Sequence, residues 1–380
     1  MIAGGGIGGL AAALALAKIG WPSVVLEQSA QLGEVGAGIQ LGPNVFKMFE
    51  LLGVRAAVEQ AAVFPDSISV RDALSGEEAF QLPLGAEFVA RYRFPYAVIY
   101  RPDLLGALVD ESTRSPCIAV RTGARVLDYK EHLSHVTVRT QSGDNFEGAA
   151  LIGADGLWSR IRERIVGDGK PRVVGHIAYR AVLPLAEAPP HARVHRVTLW
   201  VGPKIHLVHY PLRRGELLNL VAVFHSDRYE EGWDTYGDPV ELHRKFAHAR
   251  PEVLELLELI DVWRMWVLCD REPVKTWSAG RVTLLGDAAH PTLQYMAQGG
   301  SMAIEDAVVL ARKVQGSPDD LPAAFAAYQQ ERYLRTARVQ LTSRFVGDYV
   351  YHAQGVTAEL RNLMLKNLTR ESMAWLYDGV

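Results

Sequence analysis

Three stretches of this chain combine glycine with an acid at spacings that suit nucleotide chemistry. In "IAGGGIGGLAAALALAKIGWPSVVLEQ" (2–28), Gly4, Gly6 and Gly9 fit G-x-G-x-x-G. Such glycines allow a tight turn and let backbone N–H groups approach a pyrophosphate, whose charge a helix N-terminus favours. Glu27, about 20 residues on, stands where a carboxylate can hold both hydroxyls of a ribose. The second stretch, "ALIGADGLWSRIRERIVG" (150–167), sets Asp155-Gly156 directly after an apolar strand, with Ser159, Arg160 and Arg162 on a following helix. The third, "VTLLGDAAHPTLQYMAQGG" (282–300), sets Gly286-Asp287 after another strand. Its loop is long for a strand-to-helix connection and carries Asp287, His290, Pro291, Gln294, Tyr295, Gly299 and Gly300.

A fourth stretch, "IHLVHYP" (205–211), reads as a strand. Period two puts His206, Val208 and Tyr210 on one face and Leu207 and His209 on the other. An imidazole and a phenol on one face suit a small aromatic acid with two polar handles. They are equally consistent with hydrogen-bonded core residues. Gln294 is the loop amide best placed to meet a substrate, and His209 reads as structural. His191 and His195 have helical spacing, but they follow Pro189-Pro190 and lack a third ligand. No metal is expected.

These residues need a frame. The Ala- and Leu-rich run from Leu10 to Lys18 favours a helix, closed by Gly20 and Pro22, and Ser23–Leu26 reads as a buried parallel strand. Only Met1-Ile2-Ala3 precede the first loop, so the first strand is expected to be clipped or to begin upstream. A second glycine-rich loop and helix (33–54), a hairpin turning at Ser75-Gly76, a strand leading through Arg101 into a helix, and a meander (124–153) follow. From 173 to 268, strand-like runs interrupted by a helical stretch near 240–260 suggest an antiparallel sheet. The α/β texture returns at Arg281, and after Leu321 the chain is helical. The expected fold class is α/β: a Rossmann-like nucleotide domain built from 1–68, 98–170 and 280–320, an inserted antiparallel-sheet substrate domain from 69–97 and 171–279, and C-terminal helices from 321–380.

The formal net charge is -3 and no dense basic run occurs, which argues against nucleic acid or an anionic membrane surface as partner. Cys117 and Cys269 have neither disulfide-framework nor metal spacing, so a cytoplasmic, reducing setting is expected. No apolar stretch reaches 18 residues.

Taken in order, the three glycine–acid motifs resemble the single-component FAD-dependent aromatic hydroxylases, the family of p-hydroxybenzoate hydroxylase. The resemblance runs from residue 2 to at least Ala326, and "YQQERYLRTAR" (328–338) is similar to the family's C-terminal helix. It implies FAD as cofactor, with Gly4, Gly6, Gly9 and Glu27 on its ADP half, Arg101 and Asp155 among the binding residues, and Asp287 on the ribitol chain. Pro291, Gly299 and Gly300 would lie beside the isoalloxazine ring, with a helix starting near Ser301 aimed at its pyrimidine edge. Within the family, "IHLVHYPLRRGELLNLVAVF", "CDREPVKTW" and "GDAAHPTLQYMAQGGSMAIEDA" are most similar to members that hydroxylate 3-hydroxybenzoate para to its hydroxyl. That implies gentisate as product, NADH and O2 as co-substrates, a flavin C4a-hydroperoxide as oxygen donor, and a homodimer. His206, titrating near neutral pH, would assist ionisation of a phenol whose own pKa is about 10; Gln294 would orient that hydroxyl, and Tyr210 would donate to the carboxylate. Salicylate and 6-hydroxynicotinate are rival substrates. A flavin oxidoreductase that does not hydroxylate and a non-catalytic FAD-binding module are the readings of another class.

Overall fold

The computed structural model describes residues 1–33, 36–227 and 235–380. A six-stranded sheet runs in the order Ser278–Ala279, Val282–Leu284, Leu151–Gly153, Ile2–Ala3, Ser23–Leu26, Ile118–Arg121. It is parallel except for its first pair. The first strand is indeed short, at two residues. Helix Ile7–Lys18 packs against Arg101–Arg114 and Gly299–Gly316. Nine of its 12 residues are buried, which explains an apolar run with no polar stripe. The helix is thus held on several sides, and its N-terminus sits rigidly at the end of the first strand.

The second sheet has eight strands, in the order Thr235–Tyr236, Arg264–Asp270, Arg172–Pro184, Leu217–His225, Ile205–Leu212, Val197–Gly202, Ser67–Asp72, Glu78–Pro83. All pairs are antiparallel except Val197–Gly202 with Ser67–Asp72. One face packs on helices Pro239–Phe246 and Pro251–Glu258 around Leu207, Leu220 and Phe224. The other face meets the loop from 286 to 298 and the C-terminal helices. Every residue of Ile205–Leu212 is buried, so both faces of that strand are interior and its polar residues need internal partners.

The sheets refine the expected boundaries. The hairpin from Ser67 to Pro83 belongs wholly to the eight-stranded sheet, so the break expected at 68/69 falls inside a strand. Ser278 pairs with Thr283 in the six-stranded sheet, two residues before the expected return at 280. A three-stranded meander (Val126–Glu131, Val136–Thr140, Asn145–Gly148) and a two-stranded ribbon (Gly38–Leu41 with Ala97–Tyr100) complete the β-structure. The long helix Leu321–Phe345 runs directly into a π-helical turn, Val346–Tyr351, and helix Val356–Lys366 follows. Among the described residues, no helix is long and apolar enough to cross a membrane.

Candidate active site

A cavity of about 1040 Å³ separates the two sheets. Its floor is one face of the eight-stranded sheet. Phe80, Val70, Leu199, Val208, Val221 and Arg180 lie side by side across six strands in register, and all six line the cavity. His206 and Tyr210 flank Val208 along its strand and also line it, whereas Leu207 belongs to the opposite core and His209 bonds Trp200 Nε1 at 3.3 Å. The period-two reading of this strand therefore holds. The roof is the loop: Asp287 and every residue from Pro291 to Gly300 line the cavity.

The nucleotide end is built as the glycine spacing requires. Gly4 has φ +107, and a Cβ there would meet Ala154 O at 2.3 Å. At Gly9 a Cβ would meet Gly4 O at 1.9 Å, so these two glycines serve the protein's own packing. Gly6 differs. A Cβ there would meet no atom of the described residues within 4 Å, and Gly6 lines the cavity at the head of helix Ile7–Lys18. The space before it suits a pyrophosphate on a helix N-terminus. Glu27 closes the turn by accepting from Gly5 N at 2.6 Å and Ser29 N at 2.8 Å. Asp287 is exposed to the cavity, and the desolvation imposed by the surrounding protein raises its pKa. Helix Gly299–Gly316 begins two residues before the expected Ser301, so Gly299 and Gly300 form its first turn on the cavity wall. Arg101 heads helix Arg101–Arg114 and lines the cavity too. Gly4, Gly9, Glu27 and Asp155 do not line the cavity; the Asp155 carboxylate accepts from Ser159 Oγ at 2.6 Å and Arg160 N at 3.0 Å, capping helix Arg160–Ile165 behind the wall that Ala154 and Gly156 form. These residues fit FAD: an open glycine cradle, two helix N-termini, and an acid exposed to the cavity between them.

Several residues that position the site had not been singled out in the sequence. Arg180 projects from the floor, stacks over Trp266 at 5.2 Å and donates through Nη2 to Gln294 Oε1. Its Nε has no hydrogen-bond partner among the described residues. Burial lowers its pKa to about 10, opposed by Tyr210, so it stays a cation at neutral pH. The signal was an arginine inside the apolar run "HIAYRAVLPL". The Gln40 side chain is hydrogen-bonded to Tyr210, and Tyr96 donates to Gln40 Oε1. Gly38 gives Tyr210 its room: a Cβ there would lie 2.5 Å from the ring. Behind the roof, Asp306 accepts from Gly286 N at 3.0 Å and Arg332 Nε at 2.6 Å and pairs with His290 Nε2 at 2.5 Å. Arg332 and Arg335 also bind Glu305. Burial alone would raise Asp306, but the charges of His290 and Arg332 outweigh it and hold the carboxyl below its usual range. This ionic cluster fixes the loop, and its signal was the acid pair in the otherwise apolar "AIEDAVV".

His206 departs from expectation in its basicity. Burial, with His176 and His225 nearby, pushes it down to about 3, well below the near-neutral titration expected from a free imidazole. It is neutral at physiological pH, and its Nδ1 lies 2.7 Å from His352 Nε2. His176, His225 and His352 bring ring nitrogens within 4.8 Å of one another. His352 directs one nitrogen at His206 and the other at His225, 3.0 Å away.

A nucleotide cradle on one sheet opens into a largely apolar cavity with a few polar side chains on the other, an arrangement that suits a flavoprotein acting on a small organic substrate. The chain belongs to the FAD-binding family whose model, described as "FAD binding domain", matches residues 1–341. It is a flavoprotein monooxygenase that uses FAD. Among particular proteins, it is 45% identical to the 3-hydroxybenzoate 6-hydroxylase of Polaromonas naphthalenivorans (strain CJ2), over 99% of this chain and 95% of that one. It is 44% identical to 3-hydroxybenzoate 6-hydroxylase 1 of Aquipseudomonas alcaligenes, over 99% and 96%. The crystal structure of Klebsiella pneumoniae HpxO complexed with FAD and uric acid superposes with a TM-score of 0.86 at 29% identity, covering 98% of this chain and 94% of that one.

Proposed function

We propose that this monooxygenase hydroxylates 3-hydroxybenzoate para to its hydroxyl, giving 2,5-dihydroxybenzoate, with NADH as reductant and O2 as oxidant. The observation that carries the reading is the polar set on an otherwise apolar floor: His206 and Tyr210 flank Val208, Arg180 stands two strands away, and Gln294 hangs from the roof onto Arg180. The two relatives named above support the choice of ring.

Arg180 and Tyr210 bind the carboxylate, one as a cation and one as a neutral donor. Because Gln294 Oε1 accepts from Arg180, its amide N–H groups are turned toward other acceptors and donate to the ring oxygen. His206 takes the phenolic proton on Nε2, the ring nitrogen not used with His352. Ionising the phenol raises electron density ortho and para to its oxygen. FAD, held by the Gly6 cradle, Asp287 and the N-terminus of helix Gly299–Gly316, would supply the redox chemistry that activates O2. Val208, Leu199 and Val221 keep the pocket apolar, which limits the water that would divert oxygen to hydrogen peroxide.

Purified protein with NADH and the three monohydroxybenzoates tests this. The 3-isomer should stimulate NADH oxidation most and yield 2,5-dihydroxybenzoate by chromatography. Catechol from salicylate as the main product would reassign the ring.

A further inference from the structure

Resting on that reading, we propose that His206, His352 and His225 form a proton wire that carries the substrate's phenolic proton from the cavity to the surface. His206 lines the cavity. Its Nδ1 is 2.7 Å from His352 Nε2, and His352 Nδ1 is 3.0 Å from His225 Nε2. His206 and His352 are buried, whereas His225 is half-buried at the end of its strand. Three imidazoles thus link the cavity floor to solvent at the strand end through nitrogen–nitrogen contacts at hydrogen-bond distance.

The backbone is shaped for this link. His352 does not belong to the sheet; it follows the π-helical turn Val346–Tyr351 at the end of the long helix. π-turns inside helices are uncommon and cluster at functional sites. Here the turn delivers His352 between two strand histidines, and its backbone is fixed by bonds to Gly347 O and from Lys204 N. A Cβ at Gly347 would meet Tyr295 at 2.4 Å, so the turn also leaves room for the Tyr295 ring. Tyr295 in turn binds His176 Nδ1 at 2.6 Å, and His176 lies against His225 with ring centroids 4.1 Å apart and the planes tilted by 36°.

The transfer balances with no imidazole left charged: the phenolate keeps the negative charge and one proton reaches water. Each ring starts as its Nδ1–H tautomer. The phenol loses its proton to His206 Nε2, His206 passes its Nδ1 proton to His352 Nε2, and His352 passes its own to His225 Nε2. His225 releases its Nδ1 proton to water, and all three rings end as Nε2–H. Reprotonation of the product phenolate along the same path resets them. The wire answers a difficulty of the site. Burial pushes His206 down to about 3 and His225 to about 4, against about 10 for a phenol. His206 cannot keep a proton taken from such a group, so one must leave as another arrives. The remaining titratable groups around the wire are Tyr295 and Tyr351 beside His206, His176 beside His225 and His352, and Lys204, Lys245 and Asp348 at the outer end.

The test follows proton release and phenolate formation when 3-hydroxybenzoate binds the oxidised FAD-loaded protein, by stopped flow with an indicator dye and ultraviolet absorbance. His352→Gln keeps a hydrogen-bonding group but cannot relay, and it should slow both signals by about 10–100-fold, less than the 10²–10⁴ typical of a lost general base. His225→Ala should slow them similarly and recover with added imidazole, while the flavin spectrum and FAD affinity stay as in the wild type. Raising the pH toward the phenol's own pKa should erase the difference, a rescue that a merely structural role would not give. Wild-type rates in both variants, or a stoichiometric metal ion in the purified protein held by His176, His225 and His352, would overturn the wire. A His206→Ala variant that forms phenolate at the wild-type rate would instead overturn the assignment of His206 as base.

Discussion

Replacing Arg180 by Met removes a cation from the pocket floor while keeping a long apolar side chain against Trp266. The arginine stacks on that ring, holds Gln294, and keeps Nε without a hydrogen-bond partner among the described residues; a half-buried cation in that state favours an anion. Hydrogen bonds to charged groups contribute about 1.5–3 kcal/mol, so the Kd of 3-hydroxybenzoate should rise about 10–150-fold at 1.4 kcal/mol per decade. Its uncharged analogue 3-hydroxybenzamide should lose far less, because only the acid presents the matching charge. Arg180→Lys should rescue poorly, since an ammonium lacks the planar fork that both stacks and donates. Titrations followed by the visible spectrum of bound FAD read both ligands. Equal losses for acid and amide, or no loss for either, would refute the role given to Arg180.

The two classes of glycine separate in a paired test. Gly6→Ala should leave apoprotein stability unchanged but weaken FAD, because its Cβ enters open space at an extended φ of -76, whereas Gly9→Ala should fail to fold against Gly4 O; thermal melts with and without FAD distinguish them. Asp287→Ala should also loosen FAD, by about 1–3 kcal/mol for one charge-assisted contact, and a protein that purifies fully yellow with unchanged affinity would contradict it. Arg332→Met leaves Asp306 and Glu305 buried with fewer partners and should cost about 3–5 kcal/mol in a urea unfolding curve. The buried histidines set an acid limit. His176, His206 and His225 have folded pKa values of about 4, 3 and 4, below the ordinary 6.5, so the fold disfavours proton uptake. Their stability contribution is present above about pH 6.5 and lost as pH falls toward about 4. The urea midpoint should therefore drop between pH 7.5 and 5, and a flat profile would show that these rings are not neutral in the folded protein.

What could be read in advance was what repeats along the chain. The glycine spacing, the apolar strands before Asp155 and Asp287, and the alternation at His206, Val208 and Tyr210 are local patterns, and each survives in the structure. What could not be read was set by contacts across long sequence separations. Arg180 and Gln294 lie 114 residues apart, His206 and His352 lie 146 apart, and neither partner signals the other. Asp155 shows a different limit: its motif predicts a place near the cofactor, but whether the carboxylate faces the ligand or caps its own helix depends on Ser159. The basicity of His206 was illegible for a related reason, because desolvation is a property of the assembled pocket.

The most direct test of the account is a turnover of the FAD-loaded protein with NADH and 3-hydroxybenzoate under oxygen-18 gas, with mass spectrometry of the product. The account predicts 2,5-dihydroxybenzoate carrying one heavy oxygen in the new hydroxyl, formed in step with NADH consumption. NADH oxidation that yields only hydrogen peroxide, or a product oxygenated at another position, would contradict it.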